Sequence, residues 1–203
     1  MTVRIGITGP IGCGKSTVAG WLAEAGAVIV DADQVARAVV GPGEPALAEV
    51  IAAFGPGVRT EDGVLDRAAL GRIVFGDRAA LGRLEAILHP AVRPRIRTAM
   101  DEAAQAGAPA VVVEAIKLVE GGLAALCDEV WLITCSDAAQ RTRLAARSVA
   151  SAELGDRIAA QTGLVERVGP MATRVIDTSG SVASTRELVL AAYRAALGAA
   201  TDT

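Results

Sequence analysis

Short apolar runs rich in β-branched residues alternate along the chain with longer stretches whose apolar residues recur at helical spacing. The runs predict five strands, at residues 3–8, 27–30, 110–113, 129–134 and 174–176. The longer stretches predict helices at residues 17–24, 45–54, 67–75, 78–88, 91–105 and 184–197. Strands that alternate with helices predict an α/β fold, in which right-handed crossovers build a parallel sheet.

Two long insertions interrupt this alternation. The first covers residues 35–107 and is mostly helical, with turn signals such as Gly41-Pro42-Gly43 between its helices, and we expect it to form a cap over one side of the site. The second covers residues 138–164, is helical and bears several arginines. No segment has the composition of a linker between independent domains, so we predict one domain over residues 1–203.

The most specific motif follows the first predicted strand, where residues 9–16 read Gly-Pro-Ile-Gly-Cys-Gly-Lys-Ser. This G-x-x-x-x-G-K-S pattern between a strand and a helix is typical of a phosphate-binding loop. The main chain of such a loop and the helix N-terminus bind phosphate oxygens. The predicted nucleotide ligands are therefore Gly9, Ile11, Gly12, Cys13, Gly14, Lys15, Ser16 and Thr17. We expect Lys15 to reach the β- and γ-phosphates of a nucleoside triphosphate, and the Ser16 hydroxyl to hold Mg²⁺.

Polar side chains follow the other predicted strands. Asp31, Asp33, Glu114, Ser136 and Asp177 all lie at or just past a strand end. Because ligands of open α/β sheets gather at the carboxyl ends of the strands, these residues predict one active-site edge. Helix N-capping is the alternative explanation for the aspartate pair.

Composition narrows the class of protein. Aromatic residues make up only 2% of the chain against 52% hydrophobic residues, so the core must consist of Val, Ile, Leu and Ala, as in parallel sheets. A net charge of −3 without a basic tail argues against nucleic-acid binding, and no apolar stretch is long enough to predict a membrane span. Three cysteines without C-x-x-C spacing predict reduced thiols, a cytoplasmic location and no zinc site.

Beyond the phosphate loop, short motifs follow one another in a specific order, among them Asp31-Ala32-Asp33, Gly63-Val64-Leu65-Asp66-Arg67, Leu88-His89-Pro90, Ala160-Gln161 and Val175-Ile176-Asp177. In their order and spacing the chain resembles the dephospho-coenzyme A kinases along almost its whole length. The resemblance implies a P-loop NTPase three-layer sandwich with a five-stranded parallel sheet, a helical cap and a helical lid. It also implies transfer of the γ-phosphate of ATP to the ribose 3′-hydroxyl of dephospho-coenzyme A, the last step of coenzyme A synthesis, with Mg²⁺.

The resemblance assigns roles to particular residues. Asp33 is expected to accept the proton of the attacking hydroxyl, while Asp31 shapes the substrate site. Arg143 and Arg147 share one helical face of the lid and are expected to stabilise charge on the migrating phosphoryl group. A solvated basic face is the alternative for these arginines. Asp177 is expected at the nucleotide.

The acceptor carries a pyrophosphate, so cations are expected around it. His89 and Arg93 are candidate ligands, although a histidine before proline is often only a turn residue. Two departures from the family pattern affect the site. Lys117 stands where a leucine is usual, and it contacts a substrate phosphate, pairs with Glu114 or faces solvent. Thr178 replaces an asparagine and lacks the paired donor and acceptor of an amide, which leaves base selectivity open.

Two other functions fit the phosphate loop. The first is another small-molecule or nucleotide kinase of the same fold, and the second is a P-loop regulatory NTPase. The chain has no Asn-Lys-x-Asp guanine motif, which disfavours a GTPase. ATP and dephospho-coenzyme A are the predicted partners of a monomer or small homo-oligomer.

Overall fold

The structure is a computed structural model, which describes residues 1–146, 161 and 163–200. Within these residues five parallel strands form one sheet in the order β2-β3-β1-β4-β5. The strands are β1 (Val3–Thr8), β2 (Val28–Asp31), β3 (Ala110–Glu114), β4 (Glu129–Thr134) and β5 (Arg174–Asp177). The predicted parallel sheet is confirmed, and Asp31, Glu114 and Asp177 are each the last residue of a strand.

Helices connect the strands. In the described ranges they are α1 (Lys15–Glu24), α2 (Ala32–Ala38), α3 (Pro45–Phe54), α4 (Arg67–Val74), α5 (Arg78–Gln105), α6 (Asp137–Ala145), α7 (Leu164–Val168) and α8 (Val182–Ala199). Short 3-10 turns cover Pro56–Val58, Ala124–Leu126 and Gly169–Met171. No helix among the described residues is both long and apolar enough to cross a membrane.

The chain divides into two compact units. The first contains Met1–Asp31 and Ala99–Thr203 and includes the whole sheet. The second contains Ala32–Thr98 and overlaps with the predicted cap insertion, residues 35–107. Its helices are α2, α3, α4 and the first part of α5.

The core of the first unit is aliphatic, as the composition predicts. Ile5 and Ile7 of the central strand β1 are fully buried, and so is every valine of β3. Burial on both faces of a parallel sheet explains why β3 is a continuous apolar run instead of an alternating one. Helices α1 and α8 pack onto one face, where Leu22 and Tyr193 belong to the same buried cluster as Ile5 and Ile7. This packing fixes the start of α1, which follows the phosphate loop.

The predicted helix break at His89 and Pro90 is wrong. Helix α5 continues from Arg78 to Gln105 with Pro90 and Pro94 inside it. Val92, Ile96 and Met100 recur every four residues along this helix and are buried. Burial of a side chain of this size stabilises by about 1.5–3 kcal/mol, which offsets the roughly 3 kcal/mol that a proline costs inside a helix.

The strand order places three acidic strand ends and the phosphate loop along one edge of the sheet. Strand β1 lies between β3 and β4, so the loop that follows it lies between the loops that follow those strands. Asp31 pairs in register with Glu114, and Thr134 with Asp177. This arrangement agrees with the active-site edge that the sequence predicts.

Candidate active site

Glycines give the phosphate loop its path between β1 and α1. A side chain at Gly9 would bring a Cβ atom within 2.0 Å of the Ile133 carbonyl oxygen, so only glycine allows the loop to pass this close to β4. Gly14 has φ +88° and is the N-cap of α1. This left-handed conformation suits glycine and directs the chain into the helix at Lys15.

The Lys15 side chain lies within the loop instead of extending into solvent. It is buried, and its Nζ donates hydrogen bonds to the carbonyl oxygens of Gly9 at 2.8 Å and Pro10 at 3.1 Å. The ammonium group is therefore held beside the N-terminus of α1. A cation and a helix N-terminus together form a binding site for anions.

Ser16, the predicted Mg²⁺ ligand, contacts the carboxylate at the end of β3. Its Oγ donates a hydrogen bond of 2.9 Å to Oε1 of Glu114. Asp31 is the register partner of Glu114 on the neighbouring strand β2. Hydroxyl and carboxylate oxygens are the ligands that Mg²⁺ prefers, so Ser16 and Glu114 fit this ion.

The prediction of three reduced thiols is wrong for two of the cysteines. Cys13 of the phosphate loop and Cys135, which follows β4, form a disulfide with a Cα–Cα distance of 5.2 Å. The two residues are 122 positions apart in sequence, but β1 and β4 are neighbours in the sheet, so their loops meet. Cys127 is a free thiol, and burial raises its pKa to about 12.

Two glutamines hold the main chain of Ile11 inside the phosphate loop. The Ile11 N–H donates to Oε1 of Gln161 at 2.6 Å, and Nε2 of Gln140 donates to the Ile11 carbonyl oxygen at 2.7 Å. Both polar groups of this residue are thus occupied. Side chains from two other segments thus hold the main chain of Ile11 in the loop, and its role as a nucleotide ligand stays a prediction.

Arg143 lies against Thr178 beside the phosphate loop. Its Nη1 donates to Thr178 Oγ1 at 2.8 Å and its Nη2 to the Thr178 carbonyl oxygen at 2.5 Å. Both residues line a cavity of about 350 Å³, here called the P-loop cavity, together with Gly12, Gly14, Thr17, Val18, Trp21, Ala146, Gly180, Val182 and Thr185. This cavity adjoins the start of α1 and is the right size for part of a nucleotide.

Asp177 does not line the P-loop cavity. Its Oδ1 accepts a hydrogen bond of 2.6 Å from the Ser179 amide. Hydrogen bonds from the Ser179 side chain and amide hold the pKa of the Asp177 carboxyl below its ordinary value. Thr178 and Gly180 line the cavity in its place.

The second unit contains its own cavity, of about 410 Å³, here called the second-unit cavity. Asp33 lines it from the first turn of α2, and Arg37 and Arg67 line it as well. Arg67 begins α4, and its Nη2 donates to the Arg37 carbonyl oxygen at 3.2 Å. The walls are apolar and come from Ala36, Val40, Leu65, Leu70, Gly71, Val74, Phe75, Leu84 and Leu88. Two cations, one carboxylate and apolar walls suit a ligand that has both phosphate and apolar parts.

Other predicted acceptor residues lie elsewhere. His89 and Arg93 are on α5, beyond the lining residue Leu88, and neither lines the second-unit cavity. Lys117 follows β3 and is exposed at the surface. Partial burial lowers the pKa of its ammonium group, and the charge of Glu120 acts in the opposite direction. Arg147 lies outside the described residues, as does most of the predicted lid.

Comparison with known proteins decides the family. A sequence model of the family described as dephospho-CoA kinase matches residues 3–184. The dephospho-CoA kinase of Symbiobacterium thermophilum is 46% identical over 195 residues, which are 96% of this chain and 81% of that protein. The chain belongs to the dephospho-CoA kinase family. Membership confirms the resemblance. The chain is therefore an enzyme that phosphorylates dephospho-CoA with ATP.

Solved structures agree with the predicted fold. A protein of Thermus thermophilus has a crystal structure with a TM-score of 0.78 and 35% identity, and the match covers 96% of this chain and 97% of that chain. The dephospho-CoA kinase of Campylobacter jejuni has a TM-score of 0.70 at 24% identity, with 96% of each chain covered. The second likeness supports the predicted P-loop kinase fold alone.

Sequence reasoning missed several residues of this dephospho-CoA kinase site. Gln140 carried no signal, because its contact with Ile11 spans 129 positions. Gln161 belonged to a family motif without an assigned role. Arg37 carried a usable signal, since it follows Asp33 by one helical turn. Glu114 was predicted at the active-site edge, but its contact with Ser16 was not.

Proposed function

We propose that this chain transfers the γ-phosphoryl group of ATP to the ribose 3′-hydroxyl of dephospho-CoA. The observation that supports it most directly is the phosphate loop, with Lys15 buried inside it, in a chain that matches the family from residue 3 to residue 184. In the reaction a bond forms between the 3′-oxygen and the γ-phosphorus. The bridge between the β- and γ-phosphates breaks, ADP leaves, and the hydroxyl proton passes to a base.

The phosphate loop binds the triphosphate in this proposal. Main-chain N–H groups of Gly12, Cys13 and Gly14, and those of the first turn of α1, bind phosphate oxygens at the positive end of the helix dipole. Lys15 supplies the cation for the β- and γ-phosphates. Phosphoryl transfer depends mainly on such positioning and charge stabilisation.

Mg²⁺ is proposed to bind at Ser16 and Glu114. The Ser16 hydroxyl and the Glu114 carboxylate already contact each other at 2.9 Å, so their oxygens converge on one place. When bound, Mg²⁺ neutralises charge on the β- and γ-phosphate oxygens. Asp31, the neighbour of Glu114 across the sheet, is proposed to shape this edge.

Asp33 is the proposed general base. It is exposed, it lies in the first turn of α2, and it lines the second-unit cavity. A carboxylate can accept the proton of the attacking hydroxyl and typically contributes about 10²–10⁴-fold in rate. Its position in a cavity with two arginines supports this role over N-capping alone.

The second-unit cavity is proposed to bind dephospho-CoA. Arg37 and Arg67 can bind its pyrophosphate, since a guanidinium group donates two parallel hydrogen bonds to phosphate oxygens. The apolar walls suit its uncharged arm. His89 and Arg93 lie further along α5 and are proposed to contact parts of the acceptor beyond the cavity.

Of the two predicted lid arginines, Arg143 lies among the described residues and Arg147 does not. Arg143 is proposed to contact the nucleotide from the P-loop cavity, which it lines. A role for Arg147 at the transferred phosphoryl group stays a prediction, as do the cytoplasmic location and the oligomeric state.

An acceptor panel tests the proposal. Purified protein is incubated with ATP and Mg²⁺ alone, with dephospho-CoA, or with nucleoside monophosphates, and ADP is measured. We expect ADP to form with dephospho-CoA, Lys15→Ala to abolish it, and Arg186→Ala to leave it unchanged, because Arg186 pairs on the surface with Glu24. Faster turnover with a nucleotide would indicate another kinase. Hydrolysis without any acceptor would indicate a regulatory NTPase.

A further inference from the structure

Thr178 is a buried polar residue that lines the P-loop cavity. It follows β5 directly and is only 3% exposed. Its N–H donates to the Thr134 carbonyl oxygen at 2.9 Å. Its Oγ1 lies 2.8 Å from the Cys13 carbonyl oxygen and 3.1 Å from that of Thr134. The hydroxyl therefore bridges the phosphate loop and the end of β4.

A disulfide links the two segments whose carbonyl oxygens contact the Thr178 hydroxyl. Cys13 supplies one of the two carbonyl oxygens, and Cys135 directly follows Thr134, which supplies the other. The disulfide between Cys13 and Cys135 joins the same two segments that Thr178 bridges. Thr178 is thus attached to a rigid part of the first unit.

Arg143 binds to Thr178 through two oxygens at once. Its Nη1 and Nη2 reach the Thr178 hydroxyl and carbonyl oxygens at 2.8 Å and 2.5 Å. This fork of two parallel donors fixes the plane of the guanidinium group, which a single bond would not do. A Cβ atom added at Gly14 would lie 3.8 Å from both Arg143 Nη1 and Thr178 Oγ1, so the pair sits directly above the start of α1.

The Thr178 hydroxyl is fully committed in this arrangement. A hydroxyl has one hydrogen to donate, and here it goes to a carbonyl oxygen, while Oγ1 accepts from Arg143. It has no second donor with which to recognise a purine edge. Arg143 lines the P-loop cavity beside Thr178, and its guanidinium group keeps further N–H donors beyond the two that bind Thr178.

We propose that Thr178 is a positioning residue, which holds Arg143 in the nucleotide cavity and does not itself read the base. The inference rests on the proposed function only in taking the P-loop cavity as the ATP site. Loss of the hydroxyl therefore weakens ATP binding through Arg143. It does so equally for ATP and GTP.

The test compares Thr178→Val, which removes the hydroxyl at constant size, with Thr178→Ser, which keeps it. ATP and GTP are titrated calorimetrically without acceptor, so the result does not depend on which acceptor the enzyme uses. We expect Thr178→Val to raise the Kd of ATP about tenfold, as for loss of a hydrogen bond to a charged group. We expect Thr178→Ser to restore it and the ratio of the ATP and GTP constants to stay constant.

Two controls separate positioning from a loss of stability. Thr173→Val removes another threonine hydroxyl beside β5, one that bonds to the main chain of Val130 away from the P-loop cavity, and we expect wild-type Kd values. In an Arg143→Ala background, Thr178→Val should have no further effect on the Kd. An unchanged Kd in Thr178→Val, a changed ATP-to-GTP ratio, or an equal effect in both backgrounds would overturn the inference. Failure of the proposed function would appear instead as ATP binding without phosphorylation of dephospho-CoA by the wild-type chain.

Discussion

Ser16 and Glu114 are joined by a hydrogen bond of 2.9 Å, which links the first turn of α1 to the last residue of β3. The contact brings the predicted metal ligand next to a carboxylate at the carboxyl edge of the sheet, so a hydroxyl and a carboxylate lie together where Mg²⁺ is proposed to bind.

Glu114→Gln should weaken Mg²⁺ binding. The amide keeps the size of the side chain but removes its charge, and loss of a carboxylate that supports a metal ligand typically costs about 10–100-fold in metal affinity. Initial rates against Mg²⁺ concentration, at saturating ATP and acceptor, measure the effect. Glu120→Gln is the matched control, since this exposed carboxylate lies 3.7 Å from Arg167. An unchanged Mg²⁺ dependence in Glu114→Gln would remove this carboxylate from the metal site.

Asp33→Asn should lower kcat by about 10²–10⁴-fold, because an amide cannot accept the hydroxyl proton. The KM for ATP should change little, since the substitution leaves the phosphate loop intact. Steady-state kinetics with both substrates measure the two constants. Asp62→Asn, another exposed aspartate of the second unit, should behave as the wild type. Full turnover in Asp33→Asn would refute the assignment of the base.

The disulfide between Cys13 and Cys135 leads to a thiol count. Unfolded without reductant, the protein should contain one thiol, that of Cys127, and after reduction it should contain three. In the folded protein the Cys127 thiol should resist alkylation at neutral pH, because burial raises its pKa to about 12. Mass spectrometry after alkylation measures all three states, and three thiols before reduction would contradict the cross-link.

Loss of this disulfide should destabilise the protein. The cross-link closes a loop of 122 residues, and a loop of that length limits the unfolded chain enough to stabilise the fold by about 2–5 kcal/mol. Urea unfolding of Cys135→Ser against the wild type measures the loss. Cys127→Ser serves as control and should change the free energy of unfolding much less.

Glu129 should make stability depend on pH. Arg174 donates two hydrogen bonds to this carboxylate, at 2.7 Å and 2.8 Å, and they hold its pKa below the ordinary value. Since the folded state favours the charged form, the stabilisation is present above the unfolded pKa of about 4.5 and is lost as the pH falls through the lowered pKa. We expect Glu129→Gln to lower the free energy of unfolding by about 1–3 kcal/mol at pH 7, with the difference disappearing in acid.

Urea unfolding at several pH values measures this dependence. Glu24→Gln is the control, because Glu24 pairs with Arg186 where both side chains are about half exposed, and such pairs contribute about 0–1 kcal/mol. A constant difference between Glu129→Gln and wild type down to pH 3 would show that the ion pair is not responsible.

The sheet and the phosphate loop could be predicted from sequence because local patterns determine them. Short β-branched runs predict buried strands. A strand, a glycine-rich loop and a helix in this order place Lys15 and Ser16 at the start of the helix. The helix across Pro90 could not be predicted, since it depends on the burial of Val92 and Ile96, which only the packed structure shows.

The other features that the sequence did not predict are contacts between distant parts of the chain. The disulfide of Cys13 and the hydrogen bonds of Ile11 join segments more than a hundred positions apart. They depend on which strands are neighbours, and the sequence pattern predicts a parallel sheet without its strand order. The sequence marks Thr178 as a departure from the family, but its hydrogen bond to Arg143 is visible only in the folded structure.

The most direct test of the proposed reaction is the position of the new phosphate. Wild-type protein, ATP, Mg²⁺ and dephospho-CoA are incubated together, and the product is examined by phosphorus NMR and by comparison with authentic coenzyme A. We predict one new phosphomonoester on the ribose 3′-oxygen, formed in equal amount with ADP. ADP without a new phosphomonoester, or a phosphate on any other oxygen, would contradict the account.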